Sequence, residues 1–285
     1  MQTIKELTDL LTLDQIDENI FIGQNFQAPW GRVFGGQVLA QSLHAAYQTV
    51  PEERIAHSMH GYFILGGDIN IPIRYEVDEI RDGGSFTTRR VVALQNDKAI
   101  FNMSASFQIK QEGVDHQITM PEVPLPETLT NSFEQMEEVR LTSPIIYQRL
   151  KMFLPEVFEF KPTKKITSQL SKNHPPYSSI WVKTIQKIES DLRLQQCILA
   201  YMSDYNILTT ATLPHREELN KKKTFYASLD HAIWFHREFN LQDWLLYTMD
   251  SPSASNSRGF ARGSLFDKEG ILVASVAQEG LMRQV

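Results

Sequence analysis

The fold is decided by a segment that occurs twice, as Tyr62-Phe63-Ile64-Leu65-Gly66 and again as Trp234-Phe235-His236-Arg237-Glu238. These imperfect copies are separated by an offset of 172 residues. A slightly shorter offset of 160 residues brings Val38-Leu39-Ala40 opposite Ile198-Leu199-Ala200. A repeat of this length exceeds the roughly 20 to 50 residues of a solenoid unit. The sequence therefore predicts two similar domains that pack as a pseudo-dimer.

Each copy has the same order of predicted elements, one long helix followed by antiparallel strands. The first helix opens at Phe34-Gly35-Gly36-Gln37 and ends at Pro51, and the second covers 190–204 with Ser190 as a candidate cap. Alternating and aromatic-rich segments predict strands at 57–64, 71–77, 86–94 and 100–109, and at 226–237, 244–250, 257–266 and 271–282. A short amphipathic helix is expected over 4–18. This order is typical of an α+β fold.

Domain limits follow from the repeat and from a proline-rich stretch between the copies. We expect an N-terminal domain over 1–115, a linker with an irregular helical segment over 116–157, and a C-terminal domain over 158–285. Pro121, Pro124 and Pro126 stand among polar residues in the linker, which is typical of a connection between domains.

Composition bounds the class of protein. Hydrophobic residues make up 42% of the 285 residues and charged residues 22%, as in ordinary globular proteins. The net charge of −6 argues against nonspecific nucleic-acid binding, which needs a basic surface. Cys197 is the single cysteine, so no disulfide can form within the chain. No stretch approaches the ~20 apolar residues of a membrane span. Without a secretory or peroxisomal signal, the prediction is a cytoplasmic protein.

Chemistry is expected where the two copies differ in polar residues. The aligned differences are Asp204 for His44, Ser228 for Ala56, and Gln278 for Ser106. An acid near the end of an apolar helix is unusual, because an unpaired buried carboxylate is costly. Structural roles stay open for all three: a helix-end acid bonded to a turn amide, a strand hydroxyl bonded to backbone, and a polar residue at a strand rim.

Metal and cofactor sites are not predicted. His57 and His60 would face opposite sides of a strand, and neither has a supporting acid or cysteine at a ligand spacing. The chain has no glycine-rich phosphate loop and no cysteine pair. A histidine is a natural general base, so His57 is kept as a candidate substrate contact beside a purely structural role.

Five segments closely resemble the acyl-CoA thioesterase II family: residues 34–38, 57–63, 85–91, 230–237 and 264–283. The likeness extends from about residue 5 to residue 283. The resemblance implies a double hot-dog fold, in which two tandem antiparallel sheets each wrap around one long central helix. It also implies a homo-oligomeric hydrolase of lipid metabolism that cleaves medium- to long-chain acyl-CoA to fatty acid and CoA without a cofactor.

The family's catalytic Asp, Thr and Gln fall on Asp204, Ser228 and Gln278. The chain departs from the family at Ser228, where the hydroxyl is kept and the methyl is lost. The resemblance implies that Asp204 is a general base for a water molecule that the other two side chains position. Gly35 and Gly36 could present backbone N–H groups to the substrate oxygen, although tight packing also explains two glycines.

The CoA phosphates need cations, and strand position makes four arginines candidates: Arg89, Arg90, Arg258 and Arg262. Solvated strand charges are the alternative interpretation. Two other functions stay open. A hot-dog enoyl-CoA hydratase typically has a His five residues after the helix Asp, where this chain has Thr209. A catalytically silent acyl-CoA binding protein is compatible with the departure at Ser228.

Overall fold

The computed structural model describes residues 1–142, 144–166, 172–188 and 191–284. The helices are α1 (Ile4–Leu11), α2 (Gly35–Tyr47), α3 (Ser132–Thr142), α4 (Pro144–Phe153), α5 (Leu192–Ser203), α6 (Ile207–Thr212) and α7 (Arg216–Leu219). The strands are β1 (Asp14–Asp17), β2 (Ile20–Gly23), β3 (Ile55–Phe63), β4 (Ile73–Asp82), β5 (Phe86–Gln95), β6 (Lys98–Gln108), β7 (Phe158–Pro162), β8 (Tyr177–Thr184), β9 (Thr224–Ser228), β10 (Asp230–Phe235), β11 (Leu245–Ser255), β12 (Arg258–Phe266) and β13 (Leu272–Gln284).

The described strands of both halves form one antiparallel sheet. Its order is β1-β2-β4-β5-β6-β3-β10-β13-β12-β11-β8-β7, and β9 pairs with β13. The predicted α+β class is confirmed, with two long helices packed on the sheet. The two expected sheets are joined edge to edge through β3 and β10, so they share one continuous ladder of backbone hydrogen bonds.

The duplication is visible in the register between β3 and β10. His60 lies opposite Ala232, which is its own counterpart at the 172-residue offset. On either side, Ser58 lies opposite Trp234 and Tyr62 opposite Asp230. Asp230 is the counterpart of Ser58 at this offset, and Trp234 is the counterpart of Tyr62, so each pair corresponds to the other. A local two-fold axis therefore passes beside His60. The domain limits proposed from the sequence remain a prediction.

The two long helices, α2 and α5, lie antiparallel in the core. Near the end of α2, the Tyr47 hydroxyl bonds to Gln196 in the first turns of α5. At the start of α2, the Gly36 N–H donates to Asp204 Oδ2 at 2.9 Å. Between these ends, buried apolar residues of both helices, including Leu39 and Ile198, belong to one core cluster. This packing brings the start of α2 and the end of α5 to one point.

Two local expectations differ from the structure. The helix predicted over 4–18 ends at Leu11, and Asp14–Asp17 forms an exposed edge strand instead. The predicted cap Ser190 lies outside the described residues. Asp191 takes the N-cap position of α5, where its carboxylate accepts from the Leu194 N–H at 3.0 Å.

The segment between the copies packs on the second half of the sheet. The Trp181 indole donates to the Pro124 carbonyl at 2.9 Å, and Met120 and Val123 join a small apolar cluster around Trp181. Helices α3 and α4 follow, and the chain then enters β7. Among the described helices, none combines the length and apolarity needed to cross a membrane.

Candidate active site

A cavity of about 770 Å³ opens where α2 begins and α5 ends, a size typical of small-molecule sites. Both halves of the chain and the α3–α4 segment contribute to its wall. Most of the wall is apolar, and its large apolar side chains include Trp30, Phe34, Phe63, Ile100, Phe101, Met136, Phe153, Ile180, Tyr205 and Leu208. Such a wall suits an acyl chain, because burying apolar surface is favourable by about 25 cal/mol per Å².

Asp204, Ser228 and Gln278, the trio that the family resemblance implies and that differs between the copies, meet on one wall of this cavity. Gln278 Nε2 donates to Ser228 Oγ at 3.0 Å, and Ser228 Oγ donates to Asp204 Oδ1 at 3.4 Å. The last bond is long for a hydrogen bond between two oxygen atoms. The side chains come from the end of α5, the end of β9 and the middle of β13. The fold thus assembles them from three separate parts of the second half.

Asp204 is held by the first turn of α2. It is the C-cap of α5, and Asn206 with φ 69° then turns the chain into α6. Its Oδ2 accepts from the Gly36 N–H, where the positive end of the helix dipole favours an anion. A Cβ on Gly35 would lie 2.7 Å from Asp204 Oδ2, and one on Gly36 would lie 2.3 Å from the Tyr201 carbonyl oxygen. Both glycines are therefore required for this close approach.

The backbone N–H groups of Gly35 and Gly36 differ in whether they already have a hydrogen-bond partner. The Gly36 N–H is occupied by Asp204, so the expected oxyanion role does not fit it. The Gly35 N–H is the first of the helix and has no hydrogen-bond partner among the described residues, and Gly35 lines the cavity. Of the two expected donors, only Gly35 is left for a substrate oxygen.

Burial raises the pKa of the Asp204 carboxyl above its ordinary value. Hydrogen bonds from Gln278, Gly36 and Ser228 oppose this shift without cancelling it. A carboxylate with a raised pKa is a stronger proton acceptor, which is what general-base catalysis near neutral pH needs.

His231 is a member of this group that the sequence analysis missed. It is 1% exposed, with Nδ1 2.5 Å from Gln278 Oε1 and Nε2 2.9 Å from Ser203 Oγ. In β10 it shares the buried face of the sheet with Ile233. A histidine in register with the core residues of a strand was the signal that could have identified it.

His57 and the candidate arginines lie away from the cavity. His57 contacts Ser106 Oγ at 2.8 Å and the edge of the Phe86 ring. Arg89 is 1% exposed and is bound by Glu79 and Asp82 at 3.2 and 2.9 Å.

The other arginines are likewise held in ion pairs: Arg90 with Asp78, Arg258 with Glu279, and Arg262 with Asp250. None of the four arginines, and not His57, lines the cavity. These four arginines form ion pairs within the protein and lie outside the cavity wall, and their role in CoA binding stays a prediction.

Different cations face the cavity. Among the described residues, those in its wall are Arg32, Lys164 and Arg216. The Arg32 guanidinium lies 5.2 Å from the centre of the Phe225 ring. Neither Arg32 nor Lys164 forms an ion pair with any described residue, so both charges are open to an anionic ligand. Both side chains are in loops or near strand ends, where periodicity carries no signal.

Cys197 lies inside α5 and is 1% exposed. Burial raises the pKa of its thiol, so the thiolate that nucleophilic catalysis requires is disfavoured. In the parts of the chain that the structure describes, no three His, Cys, Asp or Glu side chains converge as metal ligands.

Comparison with known proteins gives concordant results. A family model described as "Acyl-CoA thioesterase" matches residues 155–281, and one described as "Acyl-CoA thioesterase N-terminal domain" matches 26–108. The chain is 39% identical to Acyl-CoA thioesterase 2 of Haemophilus influenzae, with 98% of each chain covered. The crystal structure of acyl-CoA thioesterase II TesB2 from Mycobacterium marinum superposes with a TM-score of 0.81 at 36% identity, covering 98% of both chains.

A hot-dog-fold protein from Alicyclobacillus acidocaldarius has a TM-score of 0.76 at 17% identity, with 98% of both chains covered, and shows the fold alone. Together with the closer relatives, it identifies the architecture as a double hot dog. The chain therefore belongs to the acyl-CoA thioesterase II (TesB-like) family, and it is an acyl-CoA thioesterase, a thiolester hydrolase of lipid metabolism.

Proposed function

We propose that this thioesterase cleaves medium- to long-chain acyl-CoA by direct attack of one water molecule that Asp204 activates. Asp204 takes a proton from the water as the water oxygen bonds to the acyl carbon. The tetrahedral intermediate then expels the CoA sulfur, which receives the proton from Asp204. The products are a fatty acid and CoA. The proposal is supported chiefly by the Asp204 carboxylate, which lines an apolar cavity beside Ser228 and Gln278.

Ser228 is better placed to orient the water than to attack the thioester itself. A serine nucleophile is usually activated by a histidine within hydrogen-bond reach. Here the nearest histidine, His231, contacts Gln278 and Ser203 instead. The Ser228 hydroxyl is already engaged with Asp204 and Gln278, two groups that can share a water molecule with it.

The Gly35 N–H is our candidate donor for the thioester oxygen. Charge develops on this oxygen as the water adds, and a fixed backbone N–H stabilises it without reorganisation. The start of α2 adds its positive dipole end. The apolar wall would hold the acyl chain, and each buried CH₂ group would contribute about 0.8 kcal/mol to binding.

Arg32 and Lys164 replace the strand arginines as our candidates for the CoA phosphates. Both line the cavity, and their charges are not neutralised by a described carboxylate. The hydratase alternative has weaker support. Thr209 lines the cavity five residues after Asp204, but a threonine hydroxyl cannot serve as the acid–base partner that a histidine provides. A homo-oligomeric state and a cytoplasmic location remain predictions from the sequence.

The test measures free-thiol release from acyl-CoAs of increasing chain length. Asp204→Asn should lower kcat by about 10²- to 10⁴-fold, the usual contribution of a general base, with little change in substrate binding. Asp250→Asn is the matched control, because this carboxylate pairs with Arg262 on the sheet surface. If the wild type binds acyl-CoA without releasing thiol, the silent binding protein is the correct alternative. If Asp204→Asn retains its turnover, Asp204 is not the base.

A further inference from the structure

His231 lies directly behind the catalytic wall and does not line the cavity. Its only described side-chain partners are Gln278 Oε1, 2.5 Å from Nδ1, and Ser203 Oγ, 2.9 Å from Nε2. Gln278 is also 1% exposed, so water cannot readily replace a lost partner. An imidazole held between two polar groups in a packed core can fix the orientation of both groups.

The contact with Gln278 determines which way the amide of that residue points. An amide oxygen only accepts hydrogen bonds, so His231 Nδ1 must carry a proton. If the amide were flipped, its NH₂ group would face this Nδ1–H, and two donors would meet in the core. Leaving such groups unpaired in the core is costly, because neither can recover its hydrogen bond from water. An imidazole that carries its proton on Nδ1 therefore selects the orientation in which the Gln278 nitrogen faces Ser228.

The orientation of the Gln278 amide also determines where the Ser228 hydroxyl proton points. The Gln278 Nε2 donates to Ser228 Oγ at 3.0 Å, so the serine proton is directed to Asp204 Oδ1 at 3.4 Å. In a flipped amide, the oxygen would face Ser228 and accept that proton, and the hydroxyl would turn away from Asp204. The direction of every bond from β10 to the carboxylate thus depends on one imidazole proton.

The other ring nitrogen is compatible with this tautomer. Burial lowers the pKa of His231 below its ordinary value, which favours the neutral ring. The neutral Nδ1–H form leaves Nε2 as an acceptor, and the Ser203 hydroxyl can donate to it. In this tautomer the single Ser203 proton is directed to Nε2, and the Ala200 carbonyl oxygen, 2.9 Å from Ser203 Oγ, receives no hydrogen bond from it.

From this geometry we infer that His231 is a positioning residue of the hydrolysis, which fixes the Gln278 amide and, through Ser228, the water-binding face of Asp204. The inference rests on the proposed water mechanism. His231 does not line the cavity and acts through Gln278.

Two isosteric variants separate this role from simple core filling. In His231→Asn, the side-chain nitrogen stands the same number of bonds from Cα as Nδ1 and can still donate to Gln278. In His231→Leu, a methyl group stands at that place, and the two side chains have equal numbers of heavy atoms. Both remove the far side of the ring, so both leave the same space and lose the same bond to Ser203.

We expect His231→Leu to lower kcat by about 10²-fold, the effect of misplacing a reacting group by roughly 1 Å, with KM little changed. His231→Asn should retain most of the wild-type kcat, although both variants lose similar thermal stability. Equal losses of kcat in the two variants, or wild-type kcat in His231→Leu, would overturn the inference. Wild-type turnover and an inactive Asp204→Asn in the same assay would confirm that the failure concerns His231 alone.

A measurement on the wild type covers the case in which neither variant folds. The ¹⁵N chemical shifts of the His231 ring report which nitrogen carries the proton. A protonated Nδ1 is expected. An unprotonated Nδ1 would overturn the inference, because such a ring could not hold the Gln278 oxygen.

Discussion

One methyl group added at Gly35 tests the geometry of the site. Alanine is otherwise favoured over glycine in a helix by about 0.5–1 kcal/mol, so Gly35→Ala should not weaken α2 itself. The added Cβ would lie 2.7 Å from Asp204 Oδ2 and 3.1 Å from the Phe63 ring. The first of these atoms belongs to a side chain that can move, so we expect Asp204 to give way.

The displacement sets the expected loss. Ordinary van der Waals contact begins at 3.4 Å, so Asp204 Oδ2 has to retreat by about 0.7 Å. This retreat also lengthens its 2.9 Å bond from the Gly36 N–H. Misplacing a reacting group by about 1 Å can cost about 10²-fold in rate, equivalent to ~2.7 kcal/mol in the activation barrier. We therefore predict that Gly35→Ala lowers kcat by about 10²-fold while the melting temperature stays near that of the wild type.

Two other glycines provide matched controls. A Cβ on Gly36 would lie 2.3 Å from the Tyr201 carbonyl oxygen, which belongs to the backbone and cannot rotate away. Gly36→Ala should therefore separate α2 from α5 and cost about 1–3 kcal/mol of folding free energy as well as activity. Gly84 has nothing within 4 Å of an added Cβ, so Gly84→Ala should change neither.

The assay combines saturating thiol-release kinetics with thermal unfolding of the three variants. A double variant with Asp204→Asn adds a further test, because Gly35→Ala should lower kcat no further once the carboxylate is gone. A Gly35→Ala enzyme within twofold of wild-type kcat would refute the reasoning. A loss of stability equal to that of Gly36→Ala would also refute it, because the helices would then have moved apart instead of the Asp204 side chain.

Three further outcomes are expected. Ser228→Thr should keep or raise kcat in the thiol-release assay, because it retains the hydroxyl and restricts its rotation, and a loss of activity with the fold intact would contradict the role of this hydroxyl. Asp204→Asn should be more stable than wild type, and by more at pH 7 than at pH 4, in urea unfolding at both values. Because the pKa of Asp204 is raised, burial of its ionised carboxylate opposes folding only as pH rises above the ordinary Asp range. An equal gain in stability at pH 7 and pH 4 would contradict the raised pKa. Lys164→Gln should raise KM for acyl-CoA about fivefold, or ~1 kcal/mol for an exposed charge, and leave KM for an S-acyl pantetheine without phosphates unchanged.

Local chemistry accounts for the parts of the fold that could be predicted. Between the strands predicted at 86–94 and 100–109, Asn96 and Asp97 both adopt positive φ, 50° and 56°, as a two-residue hairpin turn requires. The edge strand Asp14–Asp17 gave no such signal. All four of its residues are exposed, so it shows no apolar alternation, and it exists because β2 offers a partner. Pairing of this kind depends on tertiary contacts that a single segment does not encode.

The same limit explains the arginines. Asp78 and Glu79 lie directly opposite Arg90 and Arg89 in the register of β4 and β5. Asp250 lies opposite Arg262 in the register of β11 and β12. A sequence displays the charges but not the register that neutralises them. The grouping of Asp204, Ser228 and Gln278 was implied by the family resemblance, with the differences between the copies as weaker support, whereas His231 was visible only through its partners.

The local two-fold relation would allow two equivalent sites, and the helix ends explain why only one position has the proposed catalytic group, Asp204, Ser228 and Gln278. At the start of α5, the Asp191 side chain accepts from the Leu194 N–H and so closes the helix from within its own copy. The start of α2 has Phe34 as its N-cap, which offers no side-chain hydrogen bond. Its free N–H groups are left for a carboxylate from the other copy, and Asp204 occupies one of them.

At the opposite end of the helix pair, the counterpart of Asp204 is His44, whose Nδ1 has no hydrogen-bond partner among the described residues. Burial lowers the pKa of His44 to about 4, so this side chain is neutral where Asp204 is an anion. Ala56 and Ser106 occupy the positions that correspond to Ser228 and Gln278. The start of α2 has no side-chain cap and binds Asp204 of the second copy, whereas the start of α5 is already capped by Asp191 and has no carboxylate partner in the described part of the first copy. We therefore expect one active site per chain, built from both copies, and truncation to either copy alone should abolish turnover.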